Sequence, residues 1–211
     1  NARVYGDARV SGNARVYGNA RVYGDARVYD NALVSDNARV YGDARVSGNA
    51  RVYGNARVYG DARVYDNALV SDNARVYGDA RVSGNARVYG NARVYGDARV
   101  YDNALVSDNA RVYGDARVSG NARVYGDARV YKTAHVLTVG LIGSRDDTTT
   151  FFRAKFSAGF AISVCCGCFR GTVDEFRAKV KQTHGDSKYG KAYQLAADLA
   201  ETQIEIDKEA L

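Results

Sequence analysis

Few side chains in this 211-residue chain have the chemistry for catalysis or metal binding, and most of them share one short stretch. Cys165, Cys166 and Cys168 stand within four positions of one another, and the only histidines are His135 and His184. Cys165, Cys166 and Cys168 could bind a metal ion with His184 as a fourth ligand, and Cys165 and Cys168 have the spacing of half a structural zinc site; such sites use two cysteine pairs, and a second pair is absent. A thiol nucleophile with His184 as its base would need the fold to bring the two together. The simpler reading treats the cysteines as small hydrophobes at a buried strand end. No paired carboxylates, phosphate-binding loop or dinucleotide fingerprint stands elsewhere. The expectation is therefore no catalytic residue, no metal, no cofactor and no enzymatic activity.

The elements that would have to position any such site are dominated by a repeat. From Asn1 the chain divides every six residues into units such as NARVYG, DARVSG, DARVYD and NALVSD, and 22 units run to Lys132. Two degenerate units, TAHVLT and VGLIGS, continue it to Ser144. Within a unit, Ala and Val alternate with Arg and Tyr, the period of two that marks a strand with one face inside. The Gly or Asp that ends a unit, with the Asn or Asp that begins the next, tolerates positive φ and makes a corner. Val at every sixth position cannot hold one face of a helix. Strands this short bury a face only when stacked, so three units form a coil of 18 residues and equivalent units pair above and below. Residues 1–144 then make about eight coils, a rod of about 38 Å at ~4.8 Å per rung. Segments 1–36, 37–72 and 73–108 are identical and 109–126 repeats 1–18, which points to duplication, preferably by engineering, otherwise by recent natural expansion.

Read as Val-x-Gly-x-Ala-x, the unit resembles the hexapeptide repeat of left-handed parallel β-helix proteins. That resemblance covers about two thirds of the chain and implies a left-handed triangular prism; periodicity alone does not give the hand. Many proteins of that type are trimeric acyltransferases with a His base in a coil loop and coenzyme A between subunits. This array departs from them, with no His before His135 and no loop inserted in any coil.

Stacking every 18 residues places Tyr5, Tyr23, Tyr41, Tyr59, Tyr77, Tyr95, Tyr113 and Tyr131 in one outward ladder, with an Arg row beside it from Arg3 to Arg129. The second face alternates Ser11 with Tyr29, and the third alternates Tyr17 with Ser35 and carries Leu33, Leu69 and Leu105 in place of Arg. Arg beside aromatic rings can grip single-stranded nucleic acid. The preferred reading is rings stacked along the rod under guanidiniums, because corner Asp residues offset much of the charge. Residues 1–132 carry 20 basic and 14 acidic groups and residues 133–211 carry 10 of each, so the net +6 belongs to the repeats. A basic rod does not mimic DNA, and without Thr before residue 133 it has no ice-binding ranks.

Residues 145–211 break the period. TTTFFRAKF (148–156) alternates, with Phe152, Ala154 and Phe156 on one side and Arg153 and Lys155 on the other; FAISV (160–164) follows a turn as a second strand. Thr172 and Glu175 form a capping box for a helix carrying Val173, Phe176 and Val180, ending near Gly185. A second helix starts near Ser187, with Tyr193, Ala196, Ala200 and Ile204 as core positions. The segments SRDDTTTFFRAK and CGCFRGTVDEFRAKVKQTHG resemble a C-terminal domain of uncharacterised bacterial and phage-encoded proteins with similar arrays, a resemblance that brings no activity.

The chain thus reads as mainly β: a triangular parallel β-helix over 1–144 and a small α+β cap, a hairpin plus two helices, over 145–211. Its expected role is a rigid scaffold whose cap blocks or directs association. Polyanion binding and hexapeptide-type acyl transfer are the alternatives. Self-association through the open N-terminal coil or the cap is expected, with no nucleic-acid or membrane partner. The sequence shows no signal peptide and no apolar run near the ~20 residues of a span. Three clustered thiols point to the cytoplasm, and the start at Asn1, mid-pattern and without Met, suggests a preceding segment.

Overall fold

The computed structural model describes residues 1–144 and 146–206; Arg145 and the last five residues of the expected C-terminal unit lie outside the described residues. The repeats form 22 two-residue strands, β1 (Arg3–Val4) to β22 (Arg129–Val130), one per six residues. They stack as three parallel sheets, with every third strand paired in order. The register is a shift of 18: Arg3 pairs with Arg21 and Val4 with Val22, and the same shift holds along each sheet. Coil bonds to coil in a fixed pattern, in which the Arg21 N–H donates to the Ala38 carbonyl (2.9 Å) and the Tyr23 N–H to that of Val40 (3.0 Å).

The alternating residues do what their period requires. Every Ala and Val from Ala20 to Val118 is fully buried, and together they fill the axis of the rod. Burying one Val side chain contributes about 1.5–3 kcal/mol, so a core with no large residue is held by repetition. At each sixth position Gly or Asp has φ between 57° and 71°. Where Asp30 sits below Gly48, its carboxylate accepts the Gly48 N–H (3.1 Å), so the acid braces the next coil. Asn side chains at the corners join in ladders, as Asn13 to Asn31 (3.2 Å) and Asn49 to Asn67 (3.1 Å).

The rod is shorter than its sequence period suggests. Units 133–138 and 139–144 are not coils, so about seven coils replace the expected eight and the expected boundary at residue 144 moves back to about residue 132. Lys132 takes the corner position with φ −130°, not a left-handed value, and the chain leaves the stack. Thr133–His135 makes one 3-10 turn, and β23 (Val136–Ile142) starts a second, antiparallel sheet. That sheet has four strands in the order β23, β24 (Asp147–Phe156), β25 (Gly159–Cys166) and β26 (Phe169–Thr172), where a hairpin was expected.

Two helices lie on the sheet, α1 (Val173–His184) and α2 (Lys188–Gln203). The Thr172–Glu175 capping box is formed: the Thr172 hydroxyl accepts the Glu175 N–H (3.3 Å), and the Glu175 carboxylate accepts the Thr172 N–H (2.8 Å). Phe151 and Val164 on one face of the sheet meet Phe176, Tyr193 and Ala197 of the helices. Phe152, Ala154 and Cys165 on the other face join the core of the rod. Strand β24 lies against the last coil: Ala154 bridges Ala128, the Lys155 N–H donates to the Asp127 carbonyl (3.2 Å), and the Arg123 N–H donates to the Thr150 hydroxyl (3.0 Å).

Because β24 is covered on both sides, its polar face is not all solvent-facing. Arg153, on the same side as Lys155, is fully buried; it donates to the Arg129 carbonyl (3.1 Å), and its guanidinium lies 3.5 Å from the Phe160 ring centre. Phe156, on the side of Phe152 and Ala154, is 37% exposed.

The corners allow a paired test. A Cβ on Gly84 would stand 2.8 Å from the Asp102 nitrogen, whereas one on Gly120 would meet nothing within 4 Å, at nearly the same φ. Gly120→Ala should cost about 1 kcal/mol of left-handed strain. Gly84→Ala should cost roughly 1–3 kcal/mol more through the displaced neighbouring coil, both read by urea denaturation.

Candidate functional site

Three features gather side chains able to do more than hold the rod. The first is the ladder on the first sheet. Its rings from Tyr5 to Tyr113 stack with centroids 4.8–5.0 Å apart and planes within 5°. Tyr131 tilts 33° at the end, where the His135 ring stands perpendicular to it with centroids 4.2 Å apart. Burial within the stack pushes the phenols of Tyr23, Tyr41, Tyr59 and Tyr77 above their ordinary range; a neighbouring phenolate adds to the rise and the Arg row opposes it. A face of ring edges 4.9 Å apart has no room for an inserted ring, so this ladder is closed to intercalation.

The second feature is a pair of slots on the second sheet, where Ser takes the place of Tyr in alternate coils. One slot of about 310 Å³ lies over Ser47 between Tyr29 and Tyr65, and one of about 300 Å³ lies over Ser83 between Tyr65 and Tyr101. Each has Arg along one end, such as Arg81 and Arg99, and an Asp at the corner end, such as Asp66. The Ser/Tyr alternation is legible in the sequence, but the gap it makes shows only in the stack. The signal was present: a ring missing at every second rung leaves a space two rungs high.

The third feature is a cleft of about 220 Å³ in the C-terminal unit, bordered by Cys166, Cys168, Lys179, His184 and Tyr193. It brings Cys168 and His184 to one place but not Cys165. Adjacent residues of a strand face opposite ways, and Cys165 points into the core of the rod, 2% exposed, with burial pushing its thiol up. Cys166 faces the cleft side and accepts a hydrogen bond from the Thr149 hydroxyl (3.1 Å). The spacing of Cys165 and Cys168 therefore spans two faces of a strand and its turn, so these two and His184 do not make one ligand set. Among the described residues, no three His, Cys, Asp or Glu side chains are placed to hold a metal ion. His135 is fully buried, and its Nδ1 accepts the Tyr131 N–H (3.3 Å).

With the three-sided stack in place, the pattern of the YdcK beta solenoid repeat matches thirteen overlapping stretches, from 2–18 to 116–132. The chain belongs to the YdcK beta-solenoid repeat family. The family's repeats stop where the rungs stop, so the slots lie within the YdcK repeats and the cysteine cleft lies beyond them. Comparison with curated proteins finds no match.

Two measurements check this chemistry. Alkylation at pH 8 should modify exposed Cys168 first and buried Cys165 last, because reactivity follows thiolate access; peptide mass mapping reads the order. The raised phenols give stability that is fully present below about pH 10 and lost as pH rises through the higher folded values. Melting temperature should therefore hold to about pH 9.5 and fall above pH 10, with tyrosinate absorbance lagging that of free tyrosine.

Proposed function

We propose that the chain is a rigid structural scaffold whose C-terminal unit closes one end of a rod and directs its association. The observation that carries this is β24 laid along the last coil, with Phe152 set into the end of the Ala and Val core. An unfinished parallel stack offers apolar surface and free strand edges to any similar chain. Support also comes from the rod itself, since no loop interrupts a coil to shape a reaction pocket. On this reading the chain carries out no catalysis.

In the first coil Val4 is 47% exposed and Val10 37%, where their equivalents higher in the rod are fully buried. Pairing of that coil with a second copy, end to end, is part of the proposal. Identical 36-residue segments support an array grown by duplication, and the hexapeptide pattern supports a left-handed winding. The free thiols support a reducing compartment. No described helix is long and apolar enough to cross a membrane.

Light scattering tests the scaffold reading. The full chain should form dimers that dissociate on dilution, and Val10→Lys should shift it to monomer. Truncation after Lys132 should add growth from the uncovered end. A full chain that stays monomeric at high concentration overturns the pairing, and a truncated chain that stays as small as the full one overturns the covering role.

A further inference from the structure

We propose that the two slots of the second sheet each bind a planar aromatic anion of the guanine nucleotide class, with the ring held between two tyrosines. The walls are Tyr29 with Tyr65 and Tyr65 with Tyr101, each pair two rungs or about 10 Å apart. The first sheet shows what fits that interval, because there a Tyr fills every rung and its ring stands 4.8–5.0 Å from both neighbours. One flat ring over Ser83 would meet both walls at the same distance. Stacking on Tyr is tolerant of the ring but needs a flat face on each side.

The two ends of a slot differ in charge. At the strand end, Arg81 on the Ser83 rung is followed by Arg99 and Arg117, a row suited to phosphate oxygens. At the corner end stands Asp66, and one of its oxygens accepts the Gly84 N–H (3.2 Å), which draws the carboxylate to the level of the slot. Asp30 is held in the same way by Gly48 (3.1 Å) over the Ser47 slot. A carboxylate only accepts hydrogen bonds. Guanine presents adjacent N–H donors on one edge, while adenine presents one donor beside an acceptor. A ring with donors at one end and an anion at the other fills the slot in one direction.

The third sheet lacks this combination. Its Ser rungs carry Leu33, Leu69 and Leu105 where the slot rungs carry Arg. A gap of the same height there has no guanidinium on its own rung.

Titration calorimetry of the full chain with guanosine monophosphate at low salt should find two sites, weakening as salt rises. Adenosine monophosphate should bind about tenfold more weakly. The double variant Ser47→Tyr and Ser83→Tyr fills both slots in the manner the first sheet already tolerates. It should keep its melting temperature and lose binding by about tenfold or more. Asp30→Asn with Asp66→Asn should remove the preference for guanine. A guanine-containing single-stranded oligonucleotide, run beside the mononucleotide, shows by the tighter binder whether the ring comes from a strand or a free nucleotide. No binding of either probe, or binding unchanged when both slots are filled, overturns the proposal.

Discussion

The rod depends on one constraint: every sixth residue must take a left-handed backbone conformation. With it, each two-residue strand turns through a corner and returns 18 residues later in register with itself. Without it, the N–H of one coil cannot reach the carbonyl of the next. Gly accepts this conformation at no cost, and Asp accepts it because its short side chain can bond locally. Lys132 breaks the rule, and the solenoid ends there.

The same corners explain why the period is 36 and not 18. Where Asp stands below Gly, its carboxylate braces the glycine N–H of the coil above, and the glycine has no side chain to collide with the Asp that follows. Asp over Gly over Asp is thus a repeating fit between neighbours. At the corner after the second sheet, that alternation runs in step with Tyr and Ser. A device for holding corners thereby sits beside a row of gaps on the surface.

The C-terminal unit solves a different packing problem. Its sheet has a core on each face, the rod on one side and two helices on the other. Such a sheet has no polar face in its middle, which is why Arg153 is buried against Phe160 and a backbone carbonyl. Tyr125 of the last full coil ties the two units together by donating to the Val164 carbonyl (2.9 Å), and Arg170 lies over its ring. Burial pushes the Tyr125 phenol well above its ordinary range, so it stays a donor through neutral pH.

The sequence by itself determined the rung, the 18-residue coil, the inward Ala and Val, the Tyr ladder and both helices with the Thr172 cap, because each rests on contacts between near neighbours or on strict repetition. Only the tertiary structure decided where the rod stops, since TAHVLT keeps the small and branched positions of a rung and fails at the preceding corner. It also decided that Val136–Ile142 and Phe169–Thr172 are strands of the second sheet, paired with their chain neighbours β24 and β25: the first keeps the small and branched positions of a rung, and four residues are too few to show a period. Cys165 and Cys168 look paired by spacing, yet the pleat and the turn send Cys165 into the core of the rod and leave Cys168 exposed. Whether a side chain in β24 meets water or protein depends on what covers each face, and that is a property of the packed whole.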